Sequence, residues 1–256
     1  FVTITDAGQG SAILVRTRTH ALLHDTGAQY SLDSDAGSRV LVPLLRALGV
    51  TRIDLLMLSH RDSDHVGGAA AVLAALPVTT LSSSLEASHP LLAARRHGRC
   101  EAGQPGSSWQ WDGVRFEVLH PHAEDYARID AKPNTMSCVL AVTDAQGQRL
   151  LLTGDLEAEQ EARLVREQAS ALRSTTLLVP HHGSKTSSTP AFLDAVAPRT
   201  ALVQAGYRNR FGHPAPEIER RYAERGVALI RSDRCGAWRW SPGEDPTCQR
   251  DTARRY

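Results

Sequence analysis

The sequence predicts a mixed α/β fold, and three observations support this class. Short apolar runs typical of buried strands alternate with segments whose apolar residues recur at helical spacing. The chain has 256 residues, 41% of them apolar, which is enough for one large domain or two small ones. Several apolar runs end in sharp turns that carry histidine or aspartate, and open α/β sheets bind ligands at the carboxyl ends of their strands.

The elements follow from these patterns in chain order. In the first part we expect strands at 2–5, 12–18, 21–24, 53–58 and 78–81, and helices at 38–48, 69–76 and 90–97. In the second part we expect hairpins at 109–119 and 137–153, strands at 175–179, 200–204, 227–231 and 237–240, and helices at 157–173, 190–196 and 215–225. The domain is expected to cover residues 1–241, with a charged, disordered tail over 242–256.

Composition and cysteine usage limit the function classes. The formal net charge of +1 gives no global basic field, so a nucleic-acid partner would have to be held locally. No apolar run of about 18 residues and no signal-peptide pattern is visible. The chain begins on Phe1 inside a strand-like pattern, so we expect a piece cut from a longer protein. Cys138 is expected to be a core residue, whereas Cys235 and Cys248 are close enough in sequence for a disulfide, which would favour an extracytoplasmic location.

The loop after the strand at 53–58 concentrates four possible metal ligands, His60, Asp62, Asp64 and His65. The first three alternate, so we expect an extended loop that points them to one side, with His65 turned toward a neighbouring position. Without a cation, these carboxylates would repel each other and would be destabilised by burial. A pair of divalent cations removes that cost; the alternative is a solvated polar loop.

Later turns carry similar side chains. Asp155 follows an apolar strand, although a helix N-cap also explains an aspartate there. His181 and His182 stand together between a proline and a glycine, and core packing does not explain such a pair. Asn134 and Ser137 precede another strand, where a strand-entry turn is the alternative.

The order Asp25, His60-x-Asp62-x-Asp64-His65, Asp155 and His182 resembles the metallo-β-lactamase superfamily. The usual motif there is HxHxDH, and here Asp62 takes the position of the second histidine. Where the superfamily commonly has another histidine, this chain offers Asn134 or Ser137. The segments 6–10, 180–188 and 209–214 extend the likeness to the metallo-β-lactamase-like domain of the ComEC family of competence proteins, over about residues 1–240.

The resemblance implies an αββα four-layer sandwich with its site at one edge between two sheets. It implies two divalent metal ions, one bound by His60 and Asp62 and the other by Asp64 and His65, with Asp155 bridging them. His182 would complete the second ion; it is preferred to His181 because similar nucleases place the ligand directly before glycine. Replacing imidazole ligands by carboxylate, amide or hydroxyl groups favours manganese over zinc.

Two such ions activate water for attack on a phosphodiester. Asp64 is a candidate catalytic residue, with His181 or His213 for proton transfer and Lys185 for charge stabilisation; a surface role is the alternative for Lys185 and His213. The candidate substrate-binding residues are Asn134, Ser137, Ser184, Lys185, Arg208 and Arg210. The accessory residues are Asp6, Gln9 and Asp25, and Asp25 is expected to orient ligands from behind.

The resemblance further implies a nuclease that degrades the non-transported DNA strand during natural transformation. It would be a soluble domain of an inner-membrane protein, on the periplasmic side. Its partners would be DNA bound without sequence preference, the channel portion of the same polypeptide, and other DNA-uptake proteins. The low aromatic content favours holding the DNA backbone over reading bases. Two alternatives are a hydrolase of small phosphodiesters or phosphocholine-type esters, and a non-catalytic DNA-binding module of an uptake channel.

Overall fold

The computed structural model describes residues 2–4, 8, 10–93, 97–128, 131–241 and 244–253. The chain divides into two compact units. The first unit comprises Phe1–Arg99, Gln204–Tyr207 and Ser232–Tyr256, and the second comprises Cys100–Val203 and Arg208–Arg231. Each unit contains one large β-sheet with its own helices.

The strands carry their labels in chain order. They are β1 (Val2–Ile4), β2 (Ile13–Arg16), β3 (Ala21–His24), β4 (Gln29–Ser31), β5 (Ser34–Asp35), β6 (Ile53–Leu58), β7 (Val78–Ser83), β8 (His97–Arg99), β9 (Ser108–Trp111), β10 (Val114–His120), β11 (Val139–Thr143), β12 (Arg149–Leu152), β13 (Thr176–Leu178), β14 (Thr200–Val203), β15 (Ala228–Arg231), β16 (Trp238–Trp240) and β17 (Thr247–Cys248).

The helices are labelled in the same way. They are α1 (Val42–Ala47), α2 (Ser63–Val66), α3 (Ala69–Ala75), α4 (Ala158–Leu172), α5 (Pro190–Val196), α6 (Pro216–Glu224), α7 (Ser232–Cys235) and α8 (Gln249–Ala253). A π-helical turn at Gly37–Leu41 leads into α1. Shorter 3₁₀ turns occur at Pro90–Leu92, Ala123–Ala127, Pro133–Met136 and Pro180–Gly183.

The sheet of the first unit has eight strands in the order β17-β16-β1-β2-β3-β6-β7-β8. From β3 to β8 the neighbouring strands are parallel. Leu14, Leu23 and Leu56 from this sheet are buried together with Leu45 of α1 and Val72 of α3. The apolar faces of α1 and α3 therefore cover the sheet, and the loops at its strand ends remain available for polar side chains.

The sheet of the second unit has seven strands in the order β15-β14-β13-β12-β11-β10-β9. Strands β9 to β12 are antiparallel, whereas β12 to β15 are parallel. Phe116 of β10, Leu151 of β12, Phe192 of α5 and Tyr222 of α6 are fully buried. Because β12, β13 and β14 are parallel neighbours, the loops that follow them meet at one edge of the sheet. The predicted α/β fold class is confirmed.

Several local predictions were wrong. Residues 90–97 were expected to be helical, but the structure has a 3₁₀ turn at Pro90–Leu92 and the start of β8 at His97. The backbone of Ala93 is extended (ψ 130°), so the turn ends there. Residues 242–256 were expected to be a disordered tail, but they contain β17, which pairs with β16, and helix α8. The domain boundary at 241 stays a prediction.

All four cysteines form disulfides. Cys235 pairs with Cys248, as their closeness in sequence suggested. Cys100 pairs with Cys138, which was expected to be only a core residue; both are buried, and the 38 residues between them hide the partnership from the sequence. Among the helices that the structure describes, none is long and apolar enough to span a membrane.

Candidate metal-binding site

In the first unit, the candidate ligands lie where β3 and β6 end side by side. The two strands are parallel, with His24 opposite Met57, so Asp25 directly after β3 lies beside the end of β6, and Ser59 is the first residue after β6. The Ser59 N–H donates to Asp25 Oδ1 (2.7 Å), and the Ser59 hydroxyl donates to Asp25 Oδ2 (2.8 Å). The loop that begins at Ser59 is therefore fixed to the end of β3 by a fully buried carboxylate.

The same two residues orient both imidazoles of the loop. His65 Nδ1 lies 2.8 Å from Asp25 Oδ2, and His60 Nδ1 lies 3.0 Å from Ser59 Oγ. Both rings are buried, and their centroids are 4.1 Å apart. A histidine whose Nδ1 bonds a carboxylate or hydroxyl coordinates a metal through Nε2. The two rings are thus held in the orientation that metal ligands need.

The carboxylates of the loop do not follow the predicted alternation. Asp62 is extended (ψ 144°), and its Oδ2 lies 3.6 Å from His60 Nε2. The next four residues form helix α2, which begins at Ser63 and includes Asp64 in its first turn. An acidic residue is favourable there because the N-terminal end of a helix is electropositive. Asp64 is half-buried, and its carbonyl accepts the Ser11 N–H (3.1 Å).

Close backbone packing behind the loop explains its two glycines. A Cβ on Gly68 would lie 2.3 Å from the Thr26 carbonyl oxygen and 2.4 Å from the Gly37 nitrogen. A Cβ on Gly67 would lie 2.1 Å from the Gln29 nitrogen. Only glycine permits these close backbone contacts, so Gly67 and Gly68 allow the end of α2 to pack directly against the neighbouring backbone.

The charge of Asp25 is set by opposing effects. Burial by itself raises the pKa of this carboxyl. Coulombic interactions with His24 and His65 and the hydrogen bonds from His65 and the Ser59 N–H outweigh burial, so the pKa of Asp25 lies below its ordinary value. Asp25 is therefore a carboxylate that holds His65 in place.

In the second unit, three candidate ligands meet after β12 and β13. The Asp155 carboxylate lies 3.5 Å from His182 Nε2 through Oδ1 and 3.6 Å from His181 Nε2 through Oδ2. Asp155 and His182 are buried, whereas the side chain of His181 is 21% exposed. Asp155 is not a helix N-cap, because Glu157 occupies that position of α4. Its N–H donates instead to Ser137 Oγ (3.0 Å).

The histidine turn has an uncommon backbone. His181 and His182 both have positive φ (50° and 54°), which costs a non-glycine residue about 1 kcal/mol or more. Gly183 continues this geometry at φ 82°, and a Cβ there would lie 2.5 Å from Cβ of Pro214. The turn is thus held by its neighbours in a conformation that it would not adopt alone.

A polar cluster surrounds His181. Glu157 Oε1 lies 3.5 Å from His181 Nδ1 and accepts from Asn134 Nδ2 (3.4 Å) and from the Thr186 hydroxyl (3.2 Å). Asn134 Oδ1 is buried and, within the described part of the chain, accepts no hydrogen bond. The Ser184 hydroxyl lies 3.1 Å from that of Thr186. The cluster gives His181 polar neighbours on the side away from Asp155.

The remaining predicted residues lie in less constrained places. The His213 ring centroid is 6.0 Å from that of His181. Lys185, Arg208 and Arg210 are exposed. The accessory residues Asp6 and Gln9 lie outside the described residues.

Sequence reasoning missed two residues of this arrangement. Ser59 connects Asp25 to the loop, and its signal was its place as the first polar residue after β6, directly before His60. Glu157 looked like an ordinary acidic residue in the first turn of a helix, and nothing in the sequence indicates its contact with His181.

The donor chemistry of each unit fits divalent metal ions. The first unit offers His60 and His65 with Asp62 and Asp64, and the second offers Asp155 and His182. Each set combines oriented imidazole and carboxylate, the ligand types that bind Zn²⁺ and Mn²⁺.

Fold and donor chemistry together define a metallo-hydrolase domain, and the chain belongs to the metallo-β-lactamase superfamily. The family model with this description matches residues 5–207. Proteins of this fold usually bind divalent metal ions, and the family supports a metal-dependent hydrolase.

Comparison with curated proteins is more specific. The chain is 41% identical to competence protein ComA of Neisseria gonorrhoeae over 94% of its own length and 32% of that protein. It is 32% identical to ComE operon protein 3 of Bacillus subtilis over 92% of its own length and 32% of that protein. It is 35% identical to recombination protein 2 of Haemophilus influenzae over 82% of its own length and 24% of that protein. The chain thus spans about a third or less of these relatives and is similar to the metallo-β-lactamase-like part of ComEC-type proteins.

Solved structures support the fold. Igni18, a metallo hydrolase from Ignicoccus hospitalis, aligns with a TM-score of 0.56 at 13% identity, covering 94% of this chain and 99% of that one. YhfI from Bacillus subtilis, a metallo-β-lactamase fold protein, aligns with a TM-score of 0.53 at 11% identity, covering 90% and 96%. At such identities the likeness concerns the fold alone.

Proposed function

We propose that this chain is a metal-dependent phosphodiesterase that degrades the non-transported DNA strand during DNA uptake. The observation that carries the proposal is the pair of buried, carboxylate- and hydroxyl-oriented histidines, His60 and His65, in a chain similar to competence proteins. Burying two imidazoles side by side costs free energy, and binding a metal ion through their Nε2 atoms would offset that cost.

Both sets of donors are proposed to hold divalent ions. The ligands would be His60, Asp62, Asp64 and His65 in the first unit and Asp155 and His182 in the second. The carboxylate-rich set favours manganese over zinc. When bound, such ions lower the pKa of water and clamp the scissile phosphate.

The other side chains are proposed to handle protons and charge. Asp25 holds His65 through Nδ1, and Ser59 holds His60 in the same way. The Thr186 hydroxyl, 3.1 Å from Nδ1 of His181, and Glu157 Oε1, 3.5 Å from the same atom, would orient the ring, and its Nε2 would donate a proton to the leaving oxygen. Arg208, Arg210 and Lys185 are exposed cations suited to phosphate contacts.

The location is proposed to be the periplasmic side of the inner membrane, in a domain attached to a channel portion of the same polypeptide. Two disulfides in one chain support an oxidising compartment.

The test is cleavage of linear DNA by the purified chain with Mn²⁺, with Zn²⁺ and with chelator. We expect cleavage with Mn²⁺ and none with chelator. His60→Ala in the first unit and His182→Ala in the second should each reduce the cleavage rate more than about 100-fold. That exceeds the loss of about 10- to 100-fold typical when only a hydrogen-bond partner of a metal ligand is removed. His97→Ala, which alters an exposed histidine, should leave the rate unchanged.

Other outcomes would assign the chain differently. Binding of DNA without cleavage under every divalent metal would favour a DNA-binding module. Hydrolysis of small phosphodiesters with intact DNA left over would favour a small-substrate esterase.

A further inference from the structure

The loop after β14 has a rigid tip. The Asn209 side chain donates from Nδ2 to the His213 carbonyl (2.7 Å), and its Oδ1 accepts the His213 N–H (2.9 Å). Two residues later, the Ala215 N–H donates to the Gly183 carbonyl (2.9 Å). One side-chain amide therefore closes the loop on itself, and its end is tied to the histidine turn.

This loop presents an aromatic ring to solvent. Phe211 is 54% exposed and is the one large apolar side chain of the second unit, within the described ranges, that is exposed to this extent. The hydrogen bonds that close this loop come from Asn209, so they do not require an aromatic side chain at position 211. The Arg210 guanidinium lies over the ring at 4.8 Å from its centroid. A cationic group thus already lies over this ring, and nucleobases stack on aromatic rings through their own planar faces.

The ring is connected to the candidate ligands by short steps within the second unit. Phe211 and His213 stack with centroids 5.7 Å apart and planes inclined by 15°. The ring centroids of His213 and His181 are 6.0 Å apart, and His181 Nε2 lies 3.6 Å from Asp155 Oδ2. A group stacked on Phe211 would thus lie within a few side chains of Asp155.

We infer that Phe211 is a stacking platform for an unpaired nucleobase of the substrate, an inference that rests on the proposed nuclease function. The base takes the place of the Arg210 guanidinium, which moves to the neighbouring phosphate. Stacking is sequence-tolerant, since every base has a π-face, so it agrees with degradation of any sequence. Bases inside a duplex are already stacked on each other, so the platform selects single strands and frayed ends.

Direct binding separates this role from a general apolar contact. Single-stranded oligonucleotides carrying 2-aminopurine, whose fluorescence is quenched on stacking, are titrated with the chain in chelator to prevent cleavage. We expect Phe211→Ala and Phe211→Leu to weaken binding about 5- to 150-fold, as for loss of one stacked base. Phe211→Trp should bind within about twofold of the wild type. Binding of a blunt duplex should change less than about twofold in all three variants.

The outcomes separate the two hypotheses. If Phe211→Leu binds single strands and quenches 2-aminopurine like the wild type, the platform is refuted while the nuclease proposal stands. Equal losses for duplex and single strands would also refute it, since that pattern indicates a damaged loop. A wild-type chain that neither binds nor cleaves DNA refutes the proposed function, and the platform with it. Circular dichroism of each variant checks that the fold is kept.

Discussion

Replacing Asp25 by asparagine should reduce metal affinity while leaving the chain folded. The carboxylate is fully buried and serves three donors: the Ser59 N–H, the Ser59 hydroxyl and His65 Nδ1. Asparagine has the same shape but only one acceptor oxygen. If its amide nitrogen faces His65, the ring must accept at Nδ1 and carry its proton on Nε2, the atom that would bind the metal.

The magnitudes follow from these contacts. Loss of an outer-shell partner of a metal-binding histidine costs 10- to 100-fold in metal affinity, about 1.4 to 2.8 kcal/mol. Because asparagine keeps at least one of the hydrogen bonds, we expect it to lower the free energy of unfolding by only about 1–2 kcal/mol. Asp25→Ala leaves at least two buried donors without an acceptor and should cost about 3–6 kcal/mol.

The assay is Mn²⁺ binding by isothermal titration calorimetry, with urea unfolding of the same samples in chelator. The matched control is Asp54→Asn. Asp54 also accepts an N–H from the neighbouring strand, that of Ala21 (2.9 Å), but it lies at the other end of β6. The control should leave Mn²⁺ affinity unchanged. If Asp25→Asn binds Mn²⁺ as tightly as the wild type, the orienting role derived for Asp25 is refuted.

Three further predictions concern stability and are read by urea unfolding. Gly68→Ala should cost at least about 3 kcal/mol, because the added carbon meets backbone on two sides, whereas Gly98→Ala, with open space, should change stability by less than about 0.5 kcal/mol; equal effects would contradict this. Replacing the Cys100–Cys138 pair by serines should cost about 1 kcal/mol more than replacing Cys235–Cys248, since the separations are 38 and 13 residues; the reverse order would contradict the loop-entropy argument. Burial raises the pKa of Glu161, despite hydrogen bonds from backbone N–H groups, so its contribution to stability is complete below about pH 4.3 and is lost as pH rises through the higher folded value; Glu161→Gln should flatten that part of the pH profile, and an unchanged profile would contradict it.

Most strands were predictable because their apolar runs end in turn residues. The run 53–58 became β6, and the short runs before Asp155 and His181 became β12 and β13. The small hairpin β4–β5 was missed, because its exposed strands carry no apolar alternation to mark them. Helix α2 was missed because a four-residue helix leaves no periodic signal.

The site was predictable in its residue types and not in its supporting contacts. Motif order singled out His60 and Asp155 as candidate ligands, and the parallel pairing of strands explains why such turns lie at a sheet edge. The roles of Ser59 and Glu157 depend on distances between separate loops, which a single sequence does not encode in any local pattern. The Cys100–Cys138 disulfide was hidden for the same reason.

Anomalous diffraction from Mn²⁺-soaked crystals of this chain tests the central claim most directly. We expect anomalous density at the donors of each unit, at His60 and His65 in the first and at Asp155 and His182 in the second. Crystals that diffract well and show no anomalous peak at either set of residues would contradict a metal-dependent phosphodiesterase.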